Sequence, residues 1–360
     1  MFAATLARTP LGRAGRGTLA ALVISSNIPD VDILTLLTGG TTAYLRWHRG
    51  PTHGILGVVV LGFATAGLVY FGQRLFQRPV NRVGAASFPM LASISMIGVL
   101  LHILMDLPTS YGTRILSPFN WEWFAVDWLP IVDIYLLVLL AVGLIFGEVS
   151  SGSRRRLSAI VLALMAANYG LRATAHYRAL TVAPALFGQM LARPCAYDNG
   201  STSDGWIDSW PRSAVDSNNG TCLVEIAAVP TFTSPFRWRI IARLSNGYEL
   251  HDLDVLSTTR TQPSAQRETF WRRSVRYPDQ WNAATFAAAT TRTARVFLGF
   301  SRFPAARSFM DASGTATVRW TDVRFVGGPL GTEAPRPPNL FNLVVRLGRD
   351  GRILQEEIGR

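Results

Sequence analysis

Residues 54–73 read GILGVVVLGFATAGLVYFGQ and carry no charge. A stretch of that length and composition suits the roughly 30 Å hydrocarbon core of a bilayer. Residues 83–101, VGAASFPMLASISMIGVLL, repeat the pattern. Leu129–Phe146 is a third apolar stretch, with one acid, Asp133, near its start. Leu157–Leu171 is a shorter fourth that extends past Arg172, and Thr18–Leu37 is apolar but interrupted by Asp30 and Asp32. The sequence therefore predicts about five crossings, near 18–37, 54–73, 84–104, 129–147 and 157–178.

The bulk numbers agree. The 360 residues are 49% hydrophobic and only 16% charged, against about 25% charged in an average soluble domain. The net charge of +12 need not mean a nucleic-acid partner, and none is expected. With five crossings, Arg8/Arg13/Arg16, Arg74/Arg78/Arg82 and Arg154–Arg156 share one side, which the positive-inside rule makes cytoplasmic. The Asp30/Asp32 end, the His48/His53 loop, the His102/Asp106 end and the loop from Trp121 to Trp128 share the other. That loop holds Trp121, Trp123, Phe124 and Trp128, an aromatic density suited to the membrane–water interface. No small-residue cleavage site follows the first apolar run, so a cleavable signal peptide is not expected.

After about Arg193 the apolar runs shorten, and turn formers cluster at Asp198-Asn199-Gly200 and Asn218-Asn219-Gly220. Val224–Val229, Trp238–Leu244, Arg295–Phe300, Thr317–Phe325 and Leu343–Leu347 read as strands. Gly348-Arg349-Asp350-Gly351-Arg352 reads as a hairpin turn between Asn342–Leu347 and Ile353–Glu357. The expected fold is an α-helical multi-pass membrane domain over 1–192, followed by a soluble, mainly β (α+β) domain over 193–360. Localisation is expected at a bacterial inner membrane, with the second domain extracytoplasmic. Its two cysteines, Cys195 and Cys222, are compatible with a disulfide or with two buried thiols, because spacing alone does not fix the Cα separation.

Polar residues are costly beside lipid and mark function by default. His102 and Asp106, four apart, share a helix face. His48 and His53 flank Arg49-Gly50-Pro51-Thr52, where Gly-Pro breaks the helix; Thr52 is a candidate cap for the next one. Asp30 and Asp32 follow Pro29 and converge only if Pro29 starts a new turn; each alone could equally be a helix cap. The candidate metal ligands are thus His48, His53, His102, Asp106, Asp30 and Asp32. The candidate catalytic residues are Asp30, Asp32, Asp127 and Arg114, the last able to hold a phosphate or carboxylate. Asp133 and His176 are weaker additions, and His251 is expected in a polar surface loop. Mixed His/Asp ligation without cysteine suits zinc first, then manganese or iron, as one or two divalent ions.

This inventory points to a membrane metallohydrolase in which an unligated Asp takes a proton from attacking water. An interfacial site favours a membrane lipid, a lipid-linked phosphate, another small phosphoester or a cell-envelope ester. The competing reading is a non-enzymatic membrane scaffold or regulator with a structural or vestigial metal site. A transporter fits less well, because the polar residues sit at segment ends and no inverted repeat is visible.

The segments NIPDVDIL (27–34), HRGPTHGIL (48–56), HILMDLPTSYGTRILSPF (102–119) and DWLPIVD (127–133) resemble the predicted membrane-bound metal-dependent hydrolases. That group includes the inner-membrane, LexA-binding hydrolases. The resemblance runs through most of residues 3–147 and extends to PTFTSPFRWRII (230–241) and Arg319–Phe325. It implies a multi-pass membrane protein with a divalent-metal hydrolase site. More distantly, the His/Asp pattern is similar to zinc phospholipase C and P1 nuclease, which implies phosphoester chemistry. Relatives usually carry a His before the stretch matching FAATLARTPLGRAG (2–15), which implies either a further ligand upstream of Met1 or a site here that lacks it.

Overall fold

The computed structural model describes residues 1–76, 84–149, 154–187, 191–195, 207–211, 220–257, 275–326 and 341–359. The helices of the first half are α1 (Phe2–Ala7), α2 (Thr18–Ser25), α3 (Thr35–Trp47), α4 (Ile55–Phe76), α5 (Phe88–Asp106), α6 (Ile134–Val149) and α7 (Arg154–Phe187). A 3-10 segment, Ile28–Leu34, lies between α2 and α3. Among the described residues, three helices are long and apolar enough to cross a membrane: Ile55–Leu75, Phe88–Asp106 and Arg154–Phe187. The pair Thr18–Ser25 and Ile28–Trp47, bent by 43°, makes a fourth if counted as one span. The apolar helix Ile134–Gly147 is shorter, so the five stretches read from the sequence correspond to three or four candidate spans plus this one.

Chain contacts divide the molecule into two units: Met1–Leu34 with Trp47–Ala173, and Thr35–Arg46 with Thr174–Arg360. In the first unit, α4 and α5 pack along each other and α2 packs on both. Ala21, Leu22, Ala66, Val69, Leu91 and Ile94 form the buried seam. Val60, Phe63, Leu68 and Phe71 of α4 point outward, as expected of a surface that meets lipid. Small residues let such helices approach closely. A Cβ on Gly98 would collide with Ser25 Oγ, so this glycine lets the end of α2 settle against α5.

The second unit confirms the antiparallel β region. Besides the short strands β1 (Trp123–Ala125) and β2 (Asp208–Trp210), strands β3 (Leu223–Pro230), β4 (Arg237–Leu244), β5 (Gly247–Asp254) and β6 (Val275–Pro278) form one four-stranded sheet in chain order. Strands β7 (Pro304–Met310), β8 (Ala316–Asp322), β9 (Asn342–Leu347) and β10 (Ile353–Ile358) form another. Ile241, Tyr248 and Leu250 of the first sheet share a core with Phe303, Ala305 and Val323. The other face of the first sheet packs Trp238, Ile240 and Ala242 against Ala175, Ala179, Ala183 and Phe187 of α7. The expected C-terminal hairpin is present as β9–β10. Cys195 and Cys222 form a disulfide, with Cα atoms 4.9 Å apart.

Three readings need correction. Arg295–Phe300 is helical: it lies in a helix spanning Arg292–Phe300 whose cap, Thr291, accepts a hydrogen bond from Ala294 N. Ala294, Phe297 and Phe300 are buried, a three-residue spacing that suits a helix face and not a strand. The stretch Thr317–Phe325 is strand only to Asp322, whose side chain then caps a 3-10 turn over Val323–Phe325. His251 is not in a surface loop. It lies buried in β5 with its ring 4.5 Å from that of Phe187, because both faces of this sheet are covered.

Candidate metal centre

The site lies in the first unit, where four chain segments meet. The 3-10 turn Ile28–Leu34, with Pro29 second in it, carries Asp30 and Asp32. The 48–54 loop, between α3 and α4, carries His48, Arg49 and His53. The last turns of α5 carry His102 and Asp106. The loop beyond α5 brings Gly112 and Tyr111 alongside, through the Gly112 carbonyl and the Tyr111 ring.

Asp30, His53 and His102 offer donor atoms that all lie within 4.8 Å of one another. The Nε2 atoms of His53 and His102 are 3.2 Å apart. Asp30 Oδ1 is 3.5 Å from His53 Nε2 and 3.6 Å from His102 Nε2. Asp106 Oδ2 is 3.4 Å and 3.5 Å from the same two nitrogens, and it is buried with no hydrogen-bond donor of its own. Ligands on a tetrahedral ion with bonds of about 2.0–2.1 Å lie about 3.3 Å apart. Asp30, His53 and His102 therefore fit a single small divalent ion, with Asp106 Oδ2 at similar distances from the same two nitrogens.

The outer atoms of the rings are also engaged. His102 Nδ1 donates to the Ser26 carbonyl at 2.9 Å, which leaves Nε2 as a lone pair aimed into the cluster. His53 Nδ1 lies 3.0 Å from Thr52 Oγ1 and 3.6 Å from Asp32 Oδ2. Thr52 thus contacts the ring of its neighbour. Such outer partners fix ring orientation and raise ligand basicity. Burial opposes a charge on His53, yet the carboxylates of Asp106 and Asp30 beside it outweigh burial and hold its pKa above the ordinary imidazole value. The cluster attracts positive charge.

The sequence candidates separate by position. His53, His102, Asp30 and Asp106 converge. Asp32 stands on the Nδ1 side of His53 and also meets His48 Nδ1 at 3.3 Å. Burial holds His48 below the ordinary imidazole value despite that carboxylate. Arg114 is buried, with its guanidinium 4.5 Å from the Trp123 ring centroid and 5.2 Å from that of Trp121. Burial lowers its pKa to about 10. Asp127 is buried at a positive φ of 61°. Asp133 caps α6, accepting from Tyr135 N and Leu136 N, and pairs with Arg172. His176 lies in the second unit, its ring 5.3 Å from that of Trp238.

The residue the sequence reading passed over is Arg49. Its Nη2 donates to Asp106 Oδ1 at 2.9 Å, its Nη1 to the Gly112 carbonyl at 2.7 Å, and its backbone N–H to Asp32 Oδ2 at 2.7 Å. It adopts a positive φ of 49°, a conformation that costs a non-glycine residue about 1 kcal/mol or more. A cation in the middle of His-Arg-Gly-Pro-Thr-His was the available signal.

Residues 1–179 match the model of the family described as YdjM inner membrane protein. The YdjM match takes in every residue of this centre and ends inside α7. Together with the apolar helices it makes the chain a membrane protein. The uncharacterized protein YfhP of Bacillus subtilis (strain 168) is 28% identical over 120 residues, which is 33% of each chain. The chain thus matches about a third of that relative's length. No solved structure matches. The resemblance to zinc phospholipase C and P1 nuclease finds no support in these matches.

Proposed function

We propose that this chain is a multi-pass integral-membrane metal-dependent hydrolase acting on a phosphoester or ester borne by a lipid or lipid-linked molecule. The observation that carries this reading is the approach of His53 Nε2 and His102 Nε2 to 3.2 Å, with Asp30 Oδ1 and Asp106 Oδ2 each 3.4–3.6 Å from both nitrogens. The ion assigned is zinc, with manganese and iron the other divalent ions that suit imidazole and carboxylate donors. When bound, it would supply Lewis acidity and lower the pKa of water.

The chain's own residues have distinct tasks. His53, His102 and Asp106 form the buried side of the donor set, whereas the Asp30 side chain is 56% exposed. A structural site is closed and a catalytic one keeps an open position, so the exposure of Asp30 favours catalysis over a structural scaffold role. The second oxygen of Asp30, outside the donor set, takes a proton from the attacking water as the water oxygen bonds to phosphorus or to the acyl carbon. It returns the proton to the oxygen of the departing group. Asp32 holds the Nδ1 side of His53. Exposed Val31, Ile33 and Leu34 beside Asp30, with Trp47 and Trp121, give the rim an apolar character that suits an amphiphile. By the arginine distribution, the site and the C-terminal domain are extracytoplasmic.

The test is elemental analysis of detergent-purified protein and of His102→Ala, followed by a screen of lipid phosphoesters. Near-stoichiometric metal lost in the variant, with hydrolysis lost in parallel, is the expected result. Metal with no turnover of any ester would favour the scaffold or regulatory reading.

A further inference from the structure

We infer that the centre takes one divalent ion, and that the Arg49 guanidinium occupies the seat a second ion would take. This rests on the metal-centre reading above. A carboxylate can bridge two cations, one on each oxygen, and Asp106 is placed to do so. Its Oδ2 faces the two Nε2 atoms at 3.4 and 3.5 Å, and its Oδ1 accepts from Arg49 Nη2 at 2.9 Å. The Gly112 carbonyl, a hard oxygen donor of the kind a second ion would use, accepts from Arg49 Nη1 at 2.7 Å. The face of Tyr111 closes the seat, its centroid 4.8 Å from the guanidinium carbon.

Charge points the same way. Asp30, Asp32 and Asp106 bring three negative charges, and Arg49 returns one positive charge. A single divalent ion then leaves the cluster neutral with both imidazoles uncharged. A second, even with Arg49 displaced from its seat, would leave an excess positive charge among side chains that, Asp30 apart, are largely buried, and uncompensated charge is expensive away from water. Arg114 lies close by, its backbone N–H bonded to the Arg49 carbonyl at 3.2 Å, and adds no negative charge. Arginine does not deprotonate in proteins, so this seat stays filled at every working pH.

The experiment titrates full-length, detergent-purified protein with Mn²⁺ and reads bound metal by elemental analysis after gel filtration, and ion coupling by electron paramagnetic resonance. One ion per chain with an isolated-ion spectrum is expected for the native sequence and for Arg49→Lys. Arg49→Gln is expected to rise towards two at saturation, because Asp106 Oδ1 and the Gly112 carbonyl are released. Two coupled ions in the native protein would overturn the inference while leaving the metal centre intact. A folded Arg49→Gln that stays at one would overturn the seat assignment. No metal in folded native protein would overturn both this inference and the reading beneath it. Should Arg49→Gln not fold, Arg49→Met, which also removes the cation, takes its place with the same two outcomes.

Discussion

The Nε2 atoms of His53 and His102 face each other at 3.2 Å. At that distance both cannot carry hydrogen, so the pair needs one shared proton or a cation between them. A ligand that binds only the folded state stabilises it, by about 2.7 kcal/mol at one hundred times its Kd. Zinc should therefore raise the Tm of the purified protein, and a chelator should reverse the rise. His53→Gln and His102→Gln should each abolish the zinc-dependent shift. A shift of unchanged size in both would place the ion elsewhere.

Asp32 supports the centre without lying among the convergent donors. Its Oδ2 accepts from Arg49 N at 2.7 Å and stands 3.6 Å from His53 Nδ1. Loss of such an outer partner costs about 10–100-fold in metal affinity. Asp32→Asn should weaken binding by that factor and keep the metal count, as measured by competition with a chromogenic chelator. Asp133→Asn, at the cap of α6, should leave affinity unchanged.

Gly98 links helix packing to the site. Gly98→Val would drive Ser25 away from α5 and carry with it Ser26, whose carbonyl orients His102. Both thermal stability and zinc affinity should fall together. A variant that lost stability but bound zinc normally would separate the two.

His251 should make the β region sensitive to acid. Burial lowers its pKa below the ordinary imidazole value, with Asp252 opposing weakly. The folded state thus prefers the neutral ring more than the unfolded chain does. Its contribution is fully present above the unfolded pKa of about 6.5 and is lost as pH falls through the interval below it. His251→Phe should flatten the Tm–pH profile between about pH 7 and 5 relative to the native protein.

The Cys195–Cys222 bond closes a loop with a sequence separation of 27. Cross-links of that span stabilise by about 3–4 kcal/mol in the chain-entropy account. The double variant Cys195→Ser/Cys222→Ser should show a lower denaturation midpoint by tryptophan fluorescence. Reductant should act on the native protein alone.

The helical region and its polar clusters were legible because charge-free stretches of bilayer length are rare. His and Asp at their ends then stand out. His102 and Asp106 followed directly from helix periodicity. The division of labour between Asp30 and Asp32 did not, because it depends on how the 3-10 turn after Pro29 points two side chains spaced by two. Arg49 escaped because an arginine near a membrane end reads as a charge marker, and its φ is invisible in sequence. His251 was misplaced because His-Asp-Leu-Asp looks polar until a helix is known to cover that face of the sheet. The Arg292–Phe300 helix is hard to read from sequence because its short, mixed pattern fits two periods.

The break after α2 has a consequence for how the second imidazole is held. In an unbroken helix the Ser26 carbonyl would accept from the N–H of Asp30. Here that N–H turns to Asn27 O instead, and the Ser26 carbonyl is left to fix His102. Backbone continuity and imidazole tautomer are therefore traded against each other at one peptide unit. A chain that ran straight through Ser26–Asp30 would make a better span and a poorer ligand sphere.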